Sequence, residues 1–286
     1  MTRIFTDMCS DLPEQLAKRY DISVIPMTYT LGGRDRVLSY QNNDPAGFYA
    51  QMRAGAMPKT SQINSETFIN EFLPVLKAGD DIMYLAFSSA LSGTYNSARI
   101  AAEQLAVDFP ERTVCIIDTK CASMGQALLV YLAAKKLEQC GDLAQTRSYV
   151  YDTIPSLNHW FTVDDLHHLH RGGRVSKSTA ILGTLLSIKP VLHVDDEGRL
   201  IAVSKVKGRK KALTAIADRL EEQGMDIDSQ EIFISHGDAP EDAAFLRDLI
   251  LQKHPGCRIT VDYIGPVIGA HSGPGTVALF FLGSKR

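Results

Sequence analysis

The first half of the chain alternates short β-branched and apolar runs with longer stretches of helical periodicity, and this alternation most restricts the fold. Strand-length runs stand at residues 3–6, 24–27, 82–87 and 114–117. Between them Phe68, Ile69, Phe72, Leu73 and Leu76 recur at helical spacing. So do Ala98, Ala101, Ala102 and Leu105, and then Met124, Ala127, Leu128, Tyr131 and Leu132. Strand, helix, strand in that order marks βαβ units, in which each crossover helix buries one face against a parallel sheet. Asp11 and Glu14 have capping-box spacing, and Asn64 or Ser65 stands where the helix carrying Phe68 must start.

Near Pro155 the pattern changes. Short strand-like runs then cluster at 161–163, 191–194, 201–203, 232–234, 259–264 and 276–282, with helical stretches over 212–222 and 243–253. The turn Asp195-Asp196-Glu197-Gly198 joins two of these runs closely enough for a hairpin, hence antiparallel pairing. The expected fold is α/β with two domains: residues 1–157 around a mainly parallel sheet, and residues 158–286, of α+β type, around a mainly antiparallel one. A chain of 286 residues suits two such units.

Thirty basic against 33 acidic residues leave a formal charge of −3, so no positive field exists to condense onto a phosphate backbone. Nucleic acid is not an expected partner. The opening residues have no long apolar core, and no run of ~18 apolar residues occurs anywhere, which predicts a cytoplasmic protein without a membrane span. The five cysteines are odd in number and none pairs as Cys-x-x-Cys, so neither a disulfide framework nor a zinc site is signalled. There is no Gly-x-Gly-x-x-Gly, no phosphate loop with lysine, no Gly-x-Ser-x-Gly and no His-Glu-x-x-His. No cofactor or metal is expected, and the commoner enzyme classes are disfavoured.

Chemistry concentrates in a few segments. Ser88-Ser89-Ala90-Leu91-Ser92-Gly93-Thr94 sets four hydroxyls in seven residues between a strand and an Ala-rich helix. A helix N-terminus has unpaired N–H groups and a partial positive charge, so hydroxyls there either cap the helix or complete an anion pocket. Thr60-Ser61 precedes another helix and carries the same two readings. Residues 265–275 read as a rigid Gly/Pro-dense loop between strands holding one histidine, His271, a candidate donor to an anion. Arg171 and Arg174 flank Gly172-Gly173, with Lys177 nearby, and a second basic run holds Lys205, Lys207, Arg209, Lys210 and Lys211. Such runs are either solvated faces or docking points for carboxylate or phosphate. His167, His168 and His170 resemble a metal tract only superficially, since ligands must converge on one point.

The motifs Thr6-Asp7 with Asp11-Leu12-Pro13, Pro58-Lys59-Thr60-Ser61-Gln62, Ser88 through Tyr95, Asp164-Asp165-Leu166 leading to Gly172-Gly173-Arg174, Lys189-Pro190-Val191 and Gly265 through Gly275 together resemble the DegV family of bacterial fatty-acid-binding proteins. The resemblance runs over essentially the whole length. It implies a long-chain fatty acid in a tunnel between the two domains, its carboxylate on Thr60, Ser61, Ser92, Gly93 and His271. It implies a binding protein with no catalytic residue of its own, presenting the acid to the ATP-using subunit of a fatty acid kinase for acyl-phosphate formation in phospholipid metabolism. Arg171, Arg174 and Arg209 would then dock that partner or neutralise phosphate, with only transient membrane contact. The alternative in a different class is a serine-dependent acyl hydrolase or transferase with Ser92 or Ser89 activated by His271. Met8-Cys9 and Ile63 depart from the family's usual small hydroxyls and proline, which bears on the acyl chain preferred.

Overall fold

The computed structural model describes residues 1–176 and 188–286; Lys177 lies outside them. The chain opens with β1 (Thr2–Asp7), α1 (Glu14–Arg19), β2 (Ser23–Ile25), β3 (Met27–Leu31), β4 (Arg34–Leu38) and α2 (Pro45–Arg53). It continues through β5 (Lys59–Thr60), α3 (Ser65–Lys77), β6 (Asp81–Ala86), α4 (Thr94–Asp108), β7 (Val114–Asp118), α5 (Met124–Cys140) and α6 (Leu143–Thr153). Strands β2, β1, β6 and β7 form a parallel sheet in that order. One of its faces, with Phe5, Ile82 and Tyr84, packs on α3 and α4, and the other, with Ile4, Met83 and Leu85, faces α5.

Then follow β8 (Leu157–Thr162), α7 (Leu166–Arg171), β9 (Ile188–Val194), β10 (Leu200–Lys207), α8 (Arg209–Gln223), β11 (Glu231–His236), α9 (Pro240–Lys253), β12 (Arg258–Tyr263), α10 (Pro266–Ser272) and β13 (Val277–Leu282). They build a six-stranded sheet, β10-β9-β8-β13-β11-β12, antiparallel except at the β11–β12 edge. The two-residue period of a strand divides its side chains cleanly. Trp160, Val191, Leu279 and Phe281 pack with Leu213, Ile216 and Leu246 of α8 and α9; Phe161, Leu192, Ala278 and Phe280 share a core with α5. Helix α5 touches both sheets, and that explains its apolar residues on every side: Met124, Ala127, Leu128, Leu129, Val130 and Ala133 are all fully buried. Gly141, at φ +62°, ends it.

Three local expectations are corrected. A small antiparallel sheet, β4-β3-β5, was not anticipated; Gly32 and Gly33, both at positive φ, make the two-residue turn of its hairpin. Residues 266–272 are a helix rather than a rigid loop: Pro266 occupies the first turn, where its missing N–H has no bond to lose. Asp11 does not cap α1; Pro13 holds that N-cap, and the Asp11 carboxyl accepts from Ser123 Oγ at 2.5 Å and from Gly265 N at 2.9 Å. Elsewhere Asn64 does cap α3, accepting from Thr67 N at 2.8 Å.

Candidate functional site

The C-terminal ends of β1, β6 and β7 point toward the inner face of the six-stranded sheet, and a cavity of about 250 Å³ lies where they meet. Cys9, Met27, Phe87, Leu91 and Ala122 wall it from the first half of the chain, and Phe161, Val194, Ala278 and Phe280 from the second. The cavity is polarised. Thr60, Ser61, Gln62, Ser92, Gly93, Arg174 and His271 also line it, and Ser61 and Gln62 are exposed, so this polar end is the mouth. His159, also in the lining, is only 1% exposed and marks the buried end.

Each polar group at the mouth is held by its own element. Thr60 sits on β5 opposite Tyr29 of β3, and its Oγ1 lies 2.8 Å from His271 Nε2. Those two residues are 211 positions apart in sequence. Ser92 Oγ accepts from Thr94 N at 3.2 Å and pairs with Thr94 Oγ1 at 3.0 Å. Gly93 is packed so closely that a β-carbon would lie 2.2 Å from Gln62 Oε1. Ser88, deeper in the segment, is structural: its hydroxyl donates to the Gly198 carbonyl at 2.9 Å in the β9–β10 turn.

His271, next to last in α10, has its Nδ1 buried and, among the described residues, without a hydrogen-bond partner, pressed against Gly172, where a β-carbon would lie 2.2 Å away. Burial first, then the guanidinium groups of Arg174 and Arg171, push its pKa down to about 4. The imidazole is therefore neutral at neutral pH and serves as a hydrogen-bonding group, not as a counter-charge. Among the described residues, the charge in the lining comes from Arg174. Its Nε and Nη2 donate to the Leu91 carbonyl at 3.1 and 2.9 Å, and Nη1 donates to the Gly172 carbonyl. The three arginines thus occupy different places: Arg174 faces the cavity, Arg171 is exposed with Nη2 2.9 Å from His168 Nδ1, and Arg209 is engaged by Asp242 and the Gly275 carbonyl.

Sequence reasoning missed Ser123 and His159 in the lining, and marked Cys9 only as a departure bearing on the acyl chain. His159 and Phe161 alternate along β8 with Trp160, so the strand period was a usable signal. Nothing local marks Ser123, which takes φ +52° and links Asp11 to Ser235, its Oγ 3.1 Å from the Ser235 hydroxyl. A serine-nucleophile pairing is not formed: His271 Nε2 meets Thr60, while Ser92 bonds Thr94.

Comparison with known proteins agrees with this architecture. A family model described as an uncharacterised protein of the DegV family matches residues 1–284. A DegV domain-containing protein of Clostridium perfringens is 44% identical over 99% of this chain and 98% of its own length. A solved DegV family protein of Thermus thermophilus, described for its fatty acid binding, superposes with a TM-score of 0.89 at 31% identity, with 99% of each chain covered. DegV of Bacillus subtilis, described as a fatty acid binding protein, gives a TM-score of 0.85 at 25% identity, again with 99% of each chain covered. The chain belongs to the DegV family.

Proposed function

We propose that this protein binds one long-chain fatty acid, with its carboxylate at the mouth on Thr60, Ser61, Ser92, Gly93 and His271 and its acyl chain in the apolar interior. The observation that carries the reading is the polarity of the cavity: hydroxyls, a neutral imidazole and Arg174 at an exposed end, and a buried lining that is mostly aliphatic and aromatic, with Ser123, His159, Ser272 and Thr276 its polar members. A carboxylate drawn from water needs donors and a compensating charge, and those groups supply both. The tail supplies affinity, at roughly 0.8 kcal/mol for each methylene removed from water. Fatty acid binding by the Thermus thermophilus and Bacillus subtilis relatives supports the same ligand class.

The division into two units, residues 1–157 and 158–286 with the ligand between them, belongs to this proposal, as does a role in presenting the carboxylate to an ATP-using kinase subunit. A head group near the surface is what such a transfer requires. Arg171 is the exposed candidate for docking that partner, whereas Arg174 acts on the ligand itself. The test is organic extraction and mass spectrometry of protein purified from a bacterial host, followed by titration of stripped protein with oleate. About one fatty acid per chain is expected; protein that carries none and fails to bind oleate would overturn the reading.

A further inference from the structure

An ionic cluster sits behind the mouth, and none of its members lines the cavity. Asp164, after β8, accepts from Lys189 Nζ at 2.7 Å and lies 3.7 Å from Arg209 Nη1. Arg209, the first residue of α8, donates Nε to Asp242 Oδ2 at 2.8 Å and Nη2 to the Gly275 carbonyl. Its side chain is only 18% exposed, with Nε and Nη2 committed to fixed acceptors, while Nη1 is buried and makes no hydrogen bond among the described residues.

What Arg209 grips is the turn after α10. Gly275 has φ +80°, and a β-carbon there would lie 2.1 Å from Asp164 Oδ2, so Asp164 fills the space a side chain would need. Gly275 N donates to the Gly237 carbonyl at 2.7 Å. Thr276 Oγ1 is 3.0 and 2.9 Å from the carbonyls of Ser272 and Gly273. These contacts fix the C-terminal end of a seven-residue helix whose penultimate residue is His271.

We propose that Arg209 and Asp164 are positioning residues for the mouth, holding the turn at Gly275 and thereby setting where His271 meets Thr60. The inference rests on the carboxylate reading given above. The helix packs against α7, α2, β3 and β5, and the turn that ends it adds the hydrogen bonds that fix its last residues. Removing the guanidinium frees the Gly275 carbonyl and leaves Asp164 and Asp242 without their shared cation.

The experiment is a double-mutant cycle in the full chain, with Arg209→Ala, His271→Ala and the pair read by oleate titration, and the His271 ring followed by nitrogen-15 NMR through an acid titration. Arg209→Ala is expected to weaken oleate binding about tenfold in the parent and not at all in His271→Ala. The ring's midpoint should move from about 4 toward the ordinary imidazole value as the ring leaves its packed position. Arg209→Lys, which keeps the charge and loses the fork, should fall between. Equal loss in both backgrounds, or an unchanged ring titration, overturns the proposal. Should Arg209→Ala fail to fold, Asp164→Asn makes the same test. If His271→Ala itself leaves oleate binding unchanged, the carboxylate reading fails, and the ring titration still decides the positioning.

Discussion

The two ends of the cavity are built by different means. The mouth collects Thr60, Ser92, Arg174 and His271 from four separated parts of the chain, each held by hydrogen bonds. The inner end is one face of a sheet, with Phe161, Ala278 and Phe280 side by side on β8 and β13 and fixed by packing. A hydrogen bond contributes about 1 kcal/mol net and depends on direction, whereas apolar burial is non-directional and grows with area. The mouth should therefore act equally on every fatty acid, and the inner end should discriminate by length.

The largest expected effect tests the inner end. Ala278→Leu places three further carbon atoms against the tail, which at ~0.8 kcal/mol for each displaced methylene is about 2.4 kcal/mol, or roughly fiftyfold in affinity. That loss should fall on the longest acid bound, while acids about three carbons shorter keep their affinity. Calorimetry across a series of saturated acids reads this directly, and equal losses at every length would remove Ala278 from the tail's path. At the mouth, His271→Ala or Arg174→Ala should each cost about tenfold, the scale of one hydrogen bond to a charged group, uniformly across the same series.

A smaller effect concerns the joint between the halves of the chain. Desolvation raises the Asp11 pKa to about 8, against the hydrogen bonds from Ser123 and Gly265 that lower it. The fold thus holds this carboxyl protonated, while the unfolded chain loses the proton above 3.8. Its contribution to stability is fully present below about 3.8 and is lost as pH rises from there to about 8. His271 runs the other way, because its folded pKa of about 4 lies below the ordinary 6.5 and stability is lost as pH falls between them. Asp11→Asn, shaped like the protonated acid, should remove the decline between about pH 4 and 8 and raise stability at pH 8 by on the order of 1 kcal/mol, about 2–4 °C in Tm. Melting curves of both proteins across pH check this; an unchanged decline over that range would mean that another group produces it.

The same contrast explains what could be read from sequence. The inner end follows from period: Phe161 in β8 and the apolar run of β13 identify themselves as strand, and strand alternation then assigns their faces. The parallel sheet and its helices were legible for the same reason. The mouth is legible only as separate fragments, because the 2.8 Å contact between Thr60 and His271 spans 211 positions and no local pattern encodes it. Density in glycine and proline made 265–275 look like a loop, yet Pro266 starts a helix and Gly269 admits the Tyr49 hydroxyl, which a β-carbon would meet at 2.4 Å. Asp11 read as a cap because capping is the local use of an aspartate; its partners Ser123 and Gly265 come from distant segments.

The smallest effect on binding is expected at Arg171, and it separates the mouth from the surface around it. Arg171 is exposed, and its side chain meets His168, whose pKa burial lowers and the Arg171 charge lowers further. Exposed charge interactions contribute at most about 1 kcal/mol and are screened by salt. Arg171→Ala should therefore leave oleate affinity within about twofold. If the carboxylate is presented to a kinase subunit, the same change should slow acyl-phosphate formation severalfold at low salt and less at high salt, because the lost guanidinium acts on encounter with an anionic partner rather than on the bound acid. Phosphate transfer measured at two ionic strengths beside an oleate titration distinguishes the cases. Parallel loss of affinity and transfer would place Arg171 in the mouth with Arg174, and an unchanged transfer rate would remove it from the docking surface.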